Sequence, residues 1–307
     1  MAGEVLETLE RADAIPDGWI VGTEGYAGAV RRAGSIEEDE GALGDPARYG
    51  DWLDRFGVEL AADPWRAVVA RHAPALAPGL AGGAFHGMIR TAHACRALSR
   101  SYTAARRDEL AVGLAYWASA WTELRSRPDG SDQPLHRVEH PWLADPAEVD
   151  FFCVSPRLAE RPIAPLLRID PPDVAPRDAL ASVVREAAAG FLEMLVQERH
   201  RIWILHTVTA PAAVELLLPA LDEADGRLLV AHVRRAVTTT FAAFGAPYEP
   251  RAHVRADPGT WDDLVARAVV TDSVHTLKLI EALRRFDDEG SDDPLLRSVA
   301  AQWFDWT

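Results

Sequence analysis

Lysine is almost missing from this sequence. Lys278 is the only lysine in a chain with 32 basic residues (Lys and Arg), and asparagine does not occur at all. A GC-rich coding bias, which depletes lysine and asparagine codons, explains both shortages. Under that bias the surviving lysine is either a chance survivor or stands where arginine cannot serve, because a buried lysine can lose its proton and arginine cannot. Lys278 is therefore a candidate for chemistry.

Cysteine and long apolar runs are also scarce. Cys95 and Cys153 lie far apart and in no paired motif, which excludes a zinc ribbon and a redox pair. Buried free thiols are expected, with a single disulfide left open.

No apolar stretch approaches the ~20 residues that a membrane-spanning helix needs, and the acidic start of the chain does not resemble a signal peptide. We expect a cytoplasmic protein with no membrane partner.

The charge balance narrows the partners further. The formal net charge is −15 and the sequence pI is about 5.1. Nucleic acids and anionic membranes are bound through basic faces, so the sequence predicts neither as a partner.

Several standard site motifs are absent. The sequence contains no Gly-rich dinucleotide fingerprint after a strand, no P-loop and no Gly-x-Ser-x-Gly elbow. It also lacks the Glu-x-x-His pair of di-iron bundles. A nicotinamide cofactor such as NADPH consequently has no motif to support it.

Helical periodicity covers most of the chain from residue 45, which predicts an all-α fold: a single multi-helix bundle or array with long irregular loops. Residues 1–44 are expected to form a partly irregular N-terminal arm, and 45–307 the helical domain. Asp63 is a predicted N-cap with Pro64 at the first helical position. Pro211 is expected to end a segment. The β-branched run VTTTF lies inside a helical pattern, so no strand is predicted there.

Two histidines lie in the segment GGAFHGMIRTAHACRAL. A spacing of seven residues places His86 and His93 on one helical face, with Arg90 between them. The glycines around His86 leave room for a close helix or a ligand. Such a pair either ligates a metal or serves as two hydrogen-bonded core histidines.

The remaining candidates follow later in the chain. His206 is preceded by apolar residues, so its imidazole is expected to be buried and to need partners, one of which could be a metal. His275 and Lys278 share a face of the segment DSVHTLKLIEAL, with Glu281 one turn further. Lys278 either snorkels or pairs with Glu281, or it is neutralised by burial. A neutral amine can act as a base or nucleophile, or form a carbamate that offers a hard oxygen ligand.

The segments LAPGLAGGAFHGMIRTAHACRAL, WILHTVTAPAAVELLLPAL and SVHTLKLIEALRRF resemble, in order and spacing, blocks of the questin oxidase-like family. The resemblance runs from about residue 45 to the end of the chain. It implies an oxygenase of secondary metabolism that opens aromatic polyketide rings of the anthraquinone type, by Baeyer–Villiger oxidation or dioxygenation. The substrates would be a small aromatic molecule and dioxygen.

The resemblance also implies a mononuclear non-haem iron centre. Its Fe(II) ligands would be His86 and/or His93, His206, His275 and Lys278 as the carbamate formed with carbon dioxide. Arg90 would orient a substrate phenolate or the carbamate.

This chain departs from the family pattern at its N-terminal end. The family carries an Asn-His-Gly-Pro-Met-like block there, whereas no histidine precedes His72 in this chain. Alternative functions are a nicotinamide- or flavin-dependent monooxygenase with Lys278 as base or substrate anchor, and a non-catalytic binder of aromatic metabolites with a degenerate metal site. The oligomeric state stays open, with a homodimer as one alternative.

Overall fold

The computed structural model describes residues 2–9, 31–36, 41–123, 171–196, 201–243, 253–271, 273–287 and 293–305. For residues 2, 201–203, 242 and 243 it describes the backbone alone. Eleven α-helices and no strand occur within these ranges, which confirms the all-α fold class. Of the predicted irregular loops, the segment 127–147 and most of the segment 155–178 lie outside the described residues.

The helices follow one another with short connections wherever the chain is described. In order they are α1 (Ala2–Thr8), α2 (Tyr49–Ala62), α3 (Trp65–Leu76), α4 (His86–Arg100), α5 (Ala104–Ser119), α6 (Pro176–Val196), α7 (Arg201–Val214), α8 (Glu223–Ala243), α9 (Trp261–Val270), α10 (Val274–Arg285) and α11 (Leu295–Phe304). Short 3₁₀ turns span Pro46–Arg48, Ala77–Gly79, Gly82–Phe85 and Leu218–Ala220.

Side-chain hydroxyl groups make local hydrogen bonds at the starts of two helices and inside a third. The hydroxyls of Thr103 and Ser273 accept hydrogen bonds from the first-turn amides of α5 and α10, as N-caps do. In α8, the hydroxyls of Thr239 and Thr240 each donate to the carbonyl four residues earlier, at 2.8 Å. These bonds satisfy the buried hydroxyls, and the run VTTTF is helical, as its surrounding pattern predicts.

Two predicted helix boundaries are wrong. Helix α3 begins at Trp65 with Pro64 in the N-cap position, and Asp63 instead follows the end of α2, where its carboxylate accepts a bond from Arg71. Pro211 does not end its segment, since α7 continues through it to Val214. Proline removes one intrahelical hydrogen bond, and the buried setting of α7 outweighs that loss.

Helix α7 is central to the position of the candidate site. It packs against α4, α6, α8 and α10, while α4 lies against α5, and α10 against α9 and α11. Most of the α7 side chains that the structure describes are fully buried, among them Ile204, Leu205 and Val208. Residues that point from α4 and α10 toward α7 can therefore meet in the interior.

The N-terminal helix belongs to this packed interior. Helix α1 lies against α10, and its Val5 and Leu6 side chains are buried. Residues 10–30 lie outside the described residues, so the division into an arm (1–44) and a helical domain (45–307) stays a prediction. In the described ranges, every helix is too short or too polar to cross a bilayer.

Candidate metal centre

Three histidines from three helices meet in the interior. His86 begins α4, His206 lies in the middle of α7 and His275 lies in the first turn of α10. One ring nitrogen of each lies within 4.8 Å of the corresponding nitrogens of the other two. In the part of the chain that the structure describes, this is the only group of three or more His, Cys, Asp or Glu side chains arranged in this way.

The closest pair of nitrogens has the spacing of two ligands on one ion. The Nε2 atoms of His86 and His206 are 3.1 Å apart. Two imidazole nitrogens that each lie about 2.1 Å from one metal, at a right angle, are about 3.0 Å apart. The ring centroids of His206 and His275 are 5.6 Å apart, and those of His86 and His275 are 6.4 Å apart. The three rings therefore form a triangle, in which His206 is buried at 1% exposure.

A backbone contact selects the tautomer of His86. Its Nδ1 lies 2.9 Å from the carbonyl oxygen of Gly83, and a carbonyl can only accept, so the ring proton is assigned to Nδ1. In the neutral ring this assignment leaves the lone pair on Nε2, the atom that faces His206. A metal-binding histidine is commonly oriented in this way by a backbone carbonyl.

The backbone in front of His86 is strained. Gly83, Ala84 and Phe85 all have left-handed conformations, with φ of 56°, 54° and 67°. For residues with a side chain, this conformation costs roughly 1–2 kcal/mol each. The turn directs the Gly83 carbonyl toward His86 and lets α4 begin at the histidine itself. Strained backbone of this kind concentrates at functional sites.

Two glycines, Gly87 in α4 and Gly82 in the turn before it, allow this part of the chain to pack closely against the end of α5. A Cβ atom on Gly87 would lie 2.5 Å from the Cα of Trp117, and one on Gly82 would lie 1.8 Å from the carbonyl oxygen of Ala120. Both distances are too short for any side chain. Of the two alternatives for these glycines, a close helix or a ligand, the structure shows the close helix at these two positions.

His275 supplies a nitrogen that needs a partner. Its Nε2 is buried and has no hydrogen-bond partner among the described residues. Leaving such a group unpaired in the interior costs about 1–3 kcal/mol. A metal ion between the three rings would satisfy it, so the donor set fits a bound transition metal.

Lys278 lies one helical turn after His275 and its side chain is buried, with 4% of the residue exposed. Within the described residues, no hydrogen bond or ion pair involves its amine. Burial lowers the pKa of Lys278 to about 8. Only 4% of the residue is exposed, so the side chain does not extend along the surface as a snorkelling lysine does. The described partners of Glu281 are instead Arg96 and Arg285.

Burial and the Lys278 charge also act on the histidines. Burial first, and then the nearby Lys278 amine, lower the pKa values of His86 and His275 to about 4. Both rings are therefore neutral at neutral pH. Neutral imidazole is the form that binds metals.

The structure does not bring His93 into this group. His86 and His93 share a face of α4, as predicted, but seven residues correspond to about 10 Å along a helix, too far for both to ligate one ion. The Nδ1 of His93 instead donates to the Oε2 of Glu4 at 2.7 Å. His93 corresponds to the alternative of a hydrogen-bonded core histidine.

Arg90 is held by a carboxylate. Its Nε and Nη2 donate to the two carboxylate oxygens of Glu109 at 2.7 and 2.9 Å, which is a bidentate pair. Burial lowers the pKa of Arg90, but the pairing with Glu109 outweighs it and raises the pKa overall. Its Nη1 remains as the donor that could meet a ligand oxygen.

Comparison with models of known protein families finds no match for this chain, and comparison with curated proteins finds none either. The case for a function therefore comes from the three convergent imidazoles, the buried lysine beside them and the resemblance of the sequence blocks that carry them.

Proposed function

We propose that this protein is an oxygen-dependent enzyme of the questin oxidase-like type that uses a mononuclear non-haem iron to cleave an aromatic ring oxidatively. His86, His206 and His275 would hold the ion, and Lys278 would supply a fourth ligand. The observation that carries the proposal is the convergence of three imidazole nitrogens within 4.8 Å in the interior. Because the three histidines lie far apart in the sequence, they meet only when the helices are packed together.

The chemistry of the donors supports iron among the common metals. Imidazole ligands suit iron, copper, nickel and zinc. A hard oxygen ligand such as a carbamate favours iron among these four. Bound Fe(II) would supply the single electrons that dioxygen needs to react with a closed-shell aromatic substrate. His206 is buried, His86 and His275 are half-buried, and the Gly83 carbonyl would keep the Nε2 of His86 available to the ion.

Lys278 fits this centre only if its amine is not protonated. An ammonium group beside a dication would repel it, and no described carboxylate compensates the charge. A neutral amine can attack the carbon of carbon dioxide, forming an N–C bond and releasing one proton. The resulting carbamate carries −1 where the ammonium carried +1, and its oxygens are hard ligands. Arginine cannot undergo this reaction.

An aromatic polyketide substrate is supported by the family resemblance of the three sequence blocks. Arg90 lies one helical turn from His86 and would use its Nη1 to bind a phenolate oxygen of such a substrate. Glu109 would hold the guanidinium in place for this contact.

Metal loading tests the centre directly. The protein is incubated anaerobically with Fe(II), desalted and measured for iron per chain. We expect one iron in the wild type and a loss of most of it in His206→Ala. His232→Ala is the control, because His232 is a half-buried helical histidine with a pKa lowered to about 4 by burial and the Arg235 charge, but lies outside the group. No iron in the wild type, or equal loss in both variants, contradicts the proposal.

Substitution of Lys278 tests the carbamate. Lys278→Arg keeps the charge but cannot react with carbon dioxide, whereas Lys278→Glu places a permanent carboxylate near the same position. We expect Lys278→Arg to lose iron and Lys278→Glu to retain part of it. Bicarbonate labelled with ¹³C should add a carbamate resonance in the wild type alone. Full iron content in Lys278→Arg would show that the carbamate is not needed.

Oxygen uptake separates the enzyme from the alternatives. The iron-loaded protein is mixed with a hydroxylated anthraquinone, with and without NADPH or flavin. Uptake without a nicotinamide or flavin supports the proposed reaction, and uptake only with one of them supports a cofactor-dependent monooxygenase. Binding of the anthraquinone with no uptake under any condition indicates a non-catalytic binder.

A further inference from the structure

A buried ionic network connects the N-terminal helix α1 to the helices that carry the candidate metal ligands. Its core consists of Glu4 from α1, His93 and Arg96 from α4, and Glu281 and Arg285 from α10. Glu4 and Glu281 are 9% and 2% exposed, so both carboxylates lie in the interior. A buried charge is stable only when it is paired, so these groups depend on one another.

Glu4 is the end of the network that α1 contributes. Its Oε2 accepts from His93 Nδ1 at 2.7 Å and from Arg96 Nη2 at 2.9 Å, and its Oε1 pairs with Arg96 Nε. Burial by itself raises the pKa of Glu4, but the hydrogen bonds from His93 and Arg96 outweigh it and lower the pKa to about 2. The carboxylate is therefore ionised and held by both α4 side chains.

Arg96 carries the connection from α4 to α10. Its Nη1 donates to Oε1 of Glu281 at 2.5 Å, and the same oxygen accepts from Arg285 Nε at 3.0 Å. Arg285 extends the network to α7, where its Nη1 donates to the carbonyl oxygen of Ala212 at 2.9 Å. Arg96 thus joins the Glu4 carboxylate on α1 to the Glu281 carboxylate on α10.

Besides α1, this network joins the three helices that carry the candidate ligands, α4, α7 and α10. On α10, Glu281 lies three residues after Lys278, which is about 4.5 Å along the helix. On α4, His93 lies two turns after His86, and on α7 the Ala212 carbonyl follows His206 on the same helix. Through Arg96 and Glu281 the network therefore ties α4 to α10, about 15 Å along α4 from His86.

We propose that Glu4 is a positioning residue for the metal centre, acting through Arg96 and Glu281 to set the relative placement of the ligand-bearing helices α4 and α10. The inference rests on the proposed metal site. Without the Glu4 carboxylate, His93 and Arg96 lose the anion that holds them, and Arg96 is free to take another position against Glu281. Ligands must stay within about 0.5 Å of their binding geometry, so a small shift of α4 against α10 weakens the site.

The test is the affinity of the full-length protein for Co(II), which replaces Fe(II) and has visible absorption that reports ligand geometry. Glu4→Gln is compared with two controls on the same helix. Glu7→Gln removes an exposed carboxylate whose Oε2 accepts from Arg106 at 3.0 Å, and Leu6→Ala removes buried apolar contacts without touching the network. Circular dichroism verifies that each variant is folded at the temperature of the titration.

We expect Glu4→Gln to weaken Co(II) binding by up to about tenfold, the lower end of what loss of a group bonded directly to a ligand costs, because Glu4 acts through Arg96 and Glu281, and to change the visible spectrum. Both controls should stay within about twofold. Unchanged affinity in Glu4→Gln, or equal weakening in Leu6→Ala, overturns the positioning role. If Glu4→Gln does not fold, Arg96→Lys takes its place, since it keeps the charge but cannot bridge both carboxylates. Absence of Co(II) binding by the wild type would instead count against the proposed metal site.

Discussion

Replacing Glu4 by glutamine should destabilise the metal-free protein by about 3 kcal/mol at pH 7. The pKa of Glu4 falls from 4.5 to about 2 on folding, and each pKa unit corresponds to about 1.4 kcal/mol. The side chain is only 8% exposed, so solvent screening does not reduce this value much. Breaking a buried ion pair by removing one partner typically costs about 3–5 kcal/mol, which agrees with it.

The loss should depend on pH with a definite sign. A carboxylate whose pKa is lowered by folding contributes its stability fully above the unfolded pKa. That contribution disappears as the pH falls from 4.5 to about 2, the unfolded and folded pKa values of Glu4. The difference in unfolding free energy between wild type and Glu4→Gln should therefore be constant from pH 7 to pH 5 and shrink as the solution is acidified further.

Urea unfolding followed by far-ultraviolet circular dichroism, with a chelator present, measures this difference at pH 7, 5, 4 and 3.5. Glu7→Gln serves as the control, because its exposed pair with Arg106 should contribute less than about 1 kcal/mol. A difference for Glu4→Gln below about 1 kcal/mol at pH 7 would refute the reasoning. So would a difference that stays the same between pH 7 and pH 3.5.

Three further variants or treatments probe the packing around the site. Gly87→Ala should cost at least about 1–3 kcal/mol in urea unfolding, because its Cβ would lie 2.5 Å from the Trp117 backbone; a neutral effect would mean that α4 and α5 are not pressed together. In a Cys153→Ser background, Cys95 should react with a thiol reagent only in urea, because burial removes it from solvent and raises its pKa; rapid labelling of the native protein would contradict this. Thr276→Val should lower the free energy of unfolding by about 1–3 kcal/mol, because it removes the Oγ1 that accepts from the buried Nε1 of Trp303 in α11 at 2.9 Å. Unchanged stability would show that this bond is dispensable.

Much of the helical fold could be predicted from the sequence, since periodicity and capping residues act locally. Asp63 and Pro211 show the limit of such signals. The Asp63 side chain binds Arg71 from the following helix, and the interior around α7 tolerates a proline that local rules would place at a helix end. Both outcomes depend on partners that a local pattern does not contain.

The candidate site was predictable in its members but not in its grouping. Spacing places His86 and His93 on one face, yet only distance along the axis decides which of them meets His206. The glycines around His86 were expected only to leave room for a close helix or a ligand, and the left-handed turn before His86 was not predicted. Glu4 gave no signal, because one acidic residue in an acidic segment looks like surface until α1 is packed against α10.

The burial of Lys278 has a practical consequence for spectroscopy. Because no other lysine occurs in the chain, isotope-labelled lysine in the growth medium marks one side chain in the whole protein. A single resonance from its ε-carbon needs no assignment, and its chemical shift distinguishes ammonium, free amine and carbamate. Enclosure of that side chain in the interior also shields it from amine-directed cross-linkers and lysine-specific proteases while the fold is intact. The same residue thus reports separately on its own chemical state and on local opening of the helices around it.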